Sequence, residues 1–206
     1  MKLTITTNVS VDGVMQGLGG PDKDRRGGFE RGGWAMPLFD NEVETVTTTL
    51  YQRAAAFLFG RRTYETFARS WGAIPEMSRN PIGAALNSRP KYVVSTSITD
   101  PQWADTSVLS GDVAAAIGDL KVHQEGELLV PGSGVLVRWL LANDFVDQLD
   151  LVTYPVVVGQ GIRLFPDTGP DMALDLVTSR STKNGVTIQT YRPTGRPQYV
   201  TASTQI

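Results

Sequence analysis

"FLFGRRTYETF", Phe57 to Phe67, runs from an apolar stretch through a glycine and two adjacent arginines into a pattern that repeats like a helix. "AAFLF" is short and continuously apolar, as strands buried on both faces of a parallel sheet are. "TYETFARSW", led by Thr63, predicts the helix that follows. Gly60 would let a ligand come close to the backbone, Thr63 offers a hydroxyl, and Arg61 has the planar guanidinium that grips a phosphate through two bonds. A helix N-terminus adds unpaired N–H groups and partial positive charge. A solvated surface turn would use the same residues, so the rest of the chain has to decide.

Two further strands end in the same way, "KYVVSTS" in small hydroxyl residues and "ELLV" in "PGSG". Helical patterns follow in "DVAAAIGDLKVH" and in "GVLVRWLLANDF", where Val135, Leu136, Trp139 and Leu140 are spaced for burial. "KLTITTNVSVDG" reads as a first strand ending in an Asp12-Gly13 turn, and "QLDLVTYPVVVG" as a later strand. "DNEVETVTTTLYQRA" predicts a helix with Asp40 as N-cap and Val43, Val46 and Leu50 on one face. "ALDLVTSRSTKNGVTIQTYRP" predicts two antiparallel strands turning at Asn184-Gly185. Strands and helices thus alternate until a final hairpin. This predicts an α/β fold with a mostly parallel central sheet, an antiparallel C-terminal hairpin and flanking helices. Residues 1–192 form one expected domain, followed by a polar tail, 193–206. Between Gly17 and Gly33 seven glycines interrupt any periodicity, and so long a loop within a compact domain is often functional.

Composition narrows the chemistry. The chain has 206 residues, a formal net charge of −2, no cysteine and one histidine, His123. Non-specific nucleic-acid or anionic-membrane binding needs a large positive field, which this charge does not supply. No apolar run reaches the length of a membrane span, and the N-terminus has no signal-peptide pattern, so a cytoplasmic location is expected. Disulfides, thiolate nucleophiles, cysteine metal sites and multi-histidine centres are excluded. Carboxylates, hydroxyls, backbone groups or a borrowed cofactor must carry any reaction, and no metal site is expected.

The two common nucleotide fingerprints fail: "GSGVLV" has Val137 where a third glycine would stand, and a Walker A sequence is absent. The ordered set of motifs nevertheless resembles the dihydrofolate reductase superfamily. "FLFGRRTYETF" is similar to its apolar strand, Gly-Arg-x-Thr turn and aromatic-Glu helix, and "VSTS" lies where its adenosine-phosphate strand does. "LLVPGSGVLVRWLLANDFVDQLDLVTYPVVVGQGIRLF" resembles more closely the C-terminal reductase domain of the bifunctional riboflavin-biosynthesis deaminase/reductase and its stand-alone relatives. The resemblance spans roughly residues 1 to 192. It implies a three-layer dihydrofolate-reductase-like fold, NADPH as cofactor, a small heterocyclic substrate and a homodimer to which "VTYPVV" contributes.

The resemblance places the cofactor 2′-phosphate on Arg61, with Ser95 and Thr96, and the pyrophosphate near Gly60, Thr63, Gly132, Ser133 and Gly134. Asn8 and Met15 would line the nicotinamide. Arg62 is read as facing solvent. Asp12 belongs first to turn chemistry and second to substrate contact. Trp34 and Phe29 either stack on a flat substrate or pack within the loop. Counting back from Gly60 brings Glu44 to the position of the family's catalytic carboxylate; Asp40, Glu42 and Glu44 in a first helical turn also suit the helix dipole. The chain departs from dihydrofolate reductase in having Pro131-Gly132 at the second turn, and it lacks the cysteines of a zinc deaminase module. The implied activity is hydride transfer from NADPH to a conjugated heterocycle, pterin-like or riboflavin-precursor-like. Alternatives on the same scaffold are a non-catalytic NADPH- or flavin-binding module and a reductase that has changed to a flavin.

Overall fold

A computed structural model describes residues 1–200. Eight strands form one sheet in the order β4-β3-β2-β5-β1-β6-β8-β7. The strands are β1 (Lys2–Ser10), β2 (Ala56–Gly60), β3 (Lys91–Val94), β4 (Thr106–Leu109), β5 (Glu127–Val130), β6 (Gln148–Tyr154), β7 (Leu174–Ser181) and β8 (Thr187–Pro193). From β4 through β6 every neighbouring pair is parallel, and β8 and β7 add antiparallel pairs at one edge. Among the described residues five α-helices flank the sheet: α1 (Asn41–Arg53), α2 (Arg61–Phe67), α3 (Pro81–Ser88), α4 (Val113–His123) and α5 (Gly134–Ala142).

β2 is buried at all five positions, which explains its unbroken apolar sequence, because both of its faces are covered. Ala56 and Leu58 join Leu128, Val130, Ile117, Leu136 and Leu140 on the α4–α5 side. Phe57 and Phe59 turn the other way, onto Tyr51 of α1, Tyr64 of α2 and Leu86 of α3. The three layers follow from this alternation.

Asp40 caps α1 as expected, its Oδ1 accepting from the Glu42 and Val43 amides at 3.0 and 2.9 Å. At the hairpin, Gly185 has φ 77°, and the Thr182 amide bonds Val186 O at 2.8 Å across the three-residue loop. Ala173 exchanges backbone bonds with Thr194 and Gly195, and Tyr199 Oη donates to Asp171 Oδ2 at 2.8 Å. The tail is therefore docked as far as it is described; its last residues, 201–206, lie outside the described part.

Several expectations need correction. α2 begins at Arg61, two residues before Thr63, and passes into a π-helical turn at Ala68–Gly72. β3 stops at Val94, because the Ser95 hydroxyl accepts the Ser97 and Ile98 amides and turns the chain. Val135 is 72 % exposed: as the second residue of α5 it stands on the rim of a cleft. Helix α3 and strand β4 are additional elements.

Candidate active site

The parallel strands present their carboxyl ends together, and in open α/β sheets ligands bind in the crevice there. A cleft of about 1330 Å³ occupies this place. Its floor is the end of β2 (Gly60), the end of β3 (Val94), the turn after β5 (Pro131–Ser133) and Met15 beyond β1, and helices α2, α4 and α5 all begin at its wall.

Two of the glycine turns touch each other. The Gly60 amide donates to Gly132 O at 3.0 Å. A Cβ on Gly60 would stand 2.2 Å from Ser133 Oγ, one on Gly132 would stand 3.0 Å from Thr63 Oγ1, and one on Gly134 would meet Met15 Sδ at 2.6 Å. Gly60 is held tightly against the Ser133 backbone, Gly132 also has φ 136°, and at Gly134 the contact is with the movable end of Met15. Gly60, Thr63, Gly132, Ser133, Gly134 and Met15, far apart in sequence, converge as predicted.

Arg61 also lines the cleft, in an ion pair with Glu65 at 3.1 Å. It borders a second depression of about 320 Å³ together with Ser95, Thr96, Ser97 and Gly111. Ser95 is buried; its oxygen accepts two backbone amides, which leaves its O–H to donate.

Other predicted residues lie elsewhere. Asp12 is committed to the turn: Oδ1 accepts from Ser10 Oγ at 2.6 Å and the Val158 amide at 2.9 Å, and Oδ2 from the Gly159 amide at 2.8 Å. Burial pushes its pKa up, but these bonds together prevail and bring it down to about 2. Trp34 donates its indole N–H to Gln16 O at 2.8 Å and packs edge-on against Tyr154. Phe29 is buried against Val14 and Val158. Asn8 accepts from Tyr154 Oη at 3.3 Å. Burial first, and the nearby Asp40 charge second, push the Tyr154 pKa up to about 12, so the phenol keeps its proton as a donor. Glu44 is exposed on α1, off the cleft lining. His123 is an exposed residue at the end of α4.

The cleft has an electrostatic character that the sequence reading missed. Seven basic side chains (Lys23, Arg25, Arg26, Arg61, Arg62, Arg69, Arg138) line it against three acidic ones (Asp24, Glu65, Asp112), in a chain whose net charge is −2. Arg62 stands on this lining as well as facing solvent. The three acids are engaged: Asp24 with Arg26, Glu65 with Arg61, and Asp112 as the cap of α4 through the Ala115 amide at 3.0 Å. The one signal available in sequence was the basic cluster "DKDRR" inside the glycine-rich loop.

A three-layer sheet with contacting glycine turns and a cationic cleft at its carboxyl ends defines a dihydrofolate-reductase-like α/β protein. The model of the RibD C-terminal domain family matches residues 1–188, and the chain belongs to that family. It is 23% identical over 154 residues to the uncharacterized protein YyaP of Bacillus subtilis, covering 72% of this chain and 73% of that one. Its fold is shared by a Shewanella sp. PV-4 protein named for riboflavin biosynthesis (TM-score 0.72, 23% identity, 94% of this chain and 99% of that one). A pyrimidine reductase-like protein from Corynebacterium diphtheriae follows (TM-score 0.61, 15% identity, 94% and 92%). Dihydrofolate reductase from Enterococcus faecalis, complexed with NADP(H), is a third (TM-score 0.59, 16% identity, 93% and 96%). Among the described residues no helix is long and apolar enough to cross a membrane.

Proposed function

We propose that the chain is an NADPH-dependent reductase that reduces a small conjugated heterocycle, pterin-like or riboflavin-precursor-like. The observation that carries this reading is the contact between the two glycine turns, with the Gly60 amide on Gly132 O and no room for a Cβ at Gly60. Side by side, they leave backbone and the Thr63 and Ser133 hydroxyls facing one anionic group, as a pyrophosphate requires. Arg61, by leaving Glu65, would hold a 2′-phosphate with Thr96 and the Ser95 hydroxyl, which otherwise lies 3.4 Å from Ser97 Oγ, a charge-assisted contact that NADH could not use. Met15, beside Gly134, would line the nicotinamide, while Asn8, bonded to Tyr154, would act from outside the cleft lining. NADPH, when bound, supplies hydride from the nicotinamide C4. The chain's part is to orient the two reactants and keep water out.

In this proposal Asp12 acts through the turn it holds, and Trp34 as a packing residue of the loop. Asp24 and Asp112 stay engaged, and Glu65, released by Arg61, belongs to the phosphate end of the cleft, so the proton comes from water. Residues 1–192 act as one reductase domain, in a cytoplasmic homodimer. Titration of intrinsic tryptophan fluorescence with NADPH and NADH tests the binding. Absorbance loss of NADPH with pterin, flavin and ribitylamino-pyrimidine compounds tests the turnover. Equal, weak binding of both nucleotides would sink the reading. The engaged state of all three cleft acids favours one alternative, a module that binds NADPH or a flavin without turnover; tight binding with no oxidation of NADPH across those compounds would select it.

A further inference from the structure

The basic lining has two rims. Arg62 and Arg69 rise from α2 and the turn after it, and Lys23, Arg25 and Arg26 stand on the glycine-rich loop. Short 3₁₀ turns at Arg26–Gly28 and Met36–Leu38 are the only helical pieces of residues 17–39, so side-chain anchors must fix where this loop lies. For residues 24–26 one buried side chain supplies them. Gln16 is 4 % exposed, and its Nε2 donates to Arg26 O at 3.0 Å, Asp24 Oδ1 at 3.2 Å and Asp24 O at 3.3 Å. Its Oε1 accepts from the Ile162 amide at 3.0 Å. The same Asp24 carboxylate then holds the Arg26 guanidinium, with Nε–Oδ1 at 2.6 Å. A primary amide alone offers donors on one atom and an acceptor on the other at this size. Buried amides satisfied on both ends fix backbone geometry, because leaving either end unpaired is costly.

We propose that Gln16 is a positioning residue that fastens Lys23–Arg26 as one arm of an anion clamp, Arg62 and Arg69 being the other, so that the two rims grip a phosphate group lying between them. The clamp adds to the turn-based site and rests on the NADPH reading only for the identity of its ligand. The latch on the loop stands without it.

Gln16→Glu is the informative change. At about pH 8 a carboxylate there is ionised, donates nothing and faces Asp24. The other charged groups near the position are Arg26, held by Asp24, and Arg163, which follows Ile162 and donates to Asp12 O. Trypsin reads the loop directly, since Lys23, Arg25 and Arg26 are its cleavage sites. Loss of the Gln16 donors should accelerate cleavage at these bonds about tenfold or more, with the melting transition still cooperative. Burial and the facing Asp24 charge raise the pKa of the new carboxyl, so hydrogen exchange over residues 23–28 should return towards wild type as the pH falls to about 5. A loop held by other contacts would show no such pH reversal. Should Gln16→Glu fail to fold, Asp24→Ala at the loop surface predicts the same local cleavage. In the wild type, inorganic pyrophosphate or NADPH should slow loop cleavage several-fold, and Arg62→Ala/Arg69→Ala should remove that protection. Wild-type cleavage rates in Gln16→Glu or Asp24→Ala would overturn the latch. Failure of pyrophosphate to protect, with or without protection by NADPH, would overturn the clamp. Protection by pyrophosphate but not NADPH would uphold the clamp and reject the NADPH reading.

Discussion

Replacing Gly60 with alanine tests whether contact between the two glycine turns builds the site. The new methyl would stand 2.2 Å from Ser133 Oγ and 3.1 Å from both Ser133 Cβ and N. Gly60 has φ −77°, ordinary for any residue, so the cost comes from contact and not from backbone strain. Rotation of Ser133 can withdraw Oγ, but the backbone nitrogen cannot move without the turn. Retreat of the turn stretches the 3.0 Å bond from the Gly60 amide to Gly132 O. Overpacking typically costs about 1–3 kcal/mol and a weakened amide bond up to about 1 kcal/mol, so a loss of about 2 kcal/mol is expected. For a chain of this size that is a fall in Tm of about 4–8 °C. Urea unfolding of wild type, Gly60→Ala, Ser133→Gly and the double variant closes the cycle. Removing the Ser133 side chain should relieve the methyl, giving a coupling of about 1 kcal/mol or more. Additive behaviour in the cycle, or a Gly60→Ala variant as stable as wild type, would refute the contact.

Asp12→Asn tests the turn carboxylate. Its folded pKa of about 2 lies below the ordinary 3.8, so the charge stabilises the fold fully above the unfolded value and ceases to do so as pH falls through the folded one. The gap corresponds to about 2 kcal/mol. The stability difference between wild type and Asp12→Asn should therefore be near that size at neutral pH and shrink towards zero near pH 2 in urea titrations; a difference independent of pH would contradict it. Glu44→Gln should leave turnover within about twofold of wild type, since an exposed group off the cleft makes no contact that differs in the transition state; a loss of two orders of magnitude would return Glu44 to the proton-donor role.

What the sequence makes legible depends on how local the cause is. β2 reads clearly because burial on both faces imposes an unbroken apolar run, and Asp40 and Gly185 read clearly because caps and hairpin turns are decided within a few residues. β4 escapes notice because "TSVL" is a four-residue edge strand with no fully buried position. α3 is obscured by the loop-like "SRNP" in front of it, although Pro81 at its first position and Asn80 as cap are sound starts for a helix. The order of the motifs brought together Gly60, Thr63, Gly132, Ser133, Gly134 and Met15, because the fold fixes where strand ends meet. Glu44 lies off the cleft lining for the opposite reason: an ungapped count from Gly60 assumes a helix position and rotation that packing decides. For the basic rim only "DKDRR" gave a local hint, and the role of Gln16 could not be foreseen, since its partners lie in the loop and at Ile162 and only the folded chain brings them together.

Cofactor selectivity of Arg61→Ala tests the central claim most directly. Loss of a charge-assisted contact to the 2′-phosphate should weaken NADPH binding about 10- to 100-fold and leave NADH within about twofold. The preference for NADPH, read as the ratio of the two Kd values by tryptophan fluorescence, should collapse towards one. An Arg61→Ala protein that keeps the wild-type preference, or that loses both nucleotides equally while remaining folded, would contradict the assignment of this cleft.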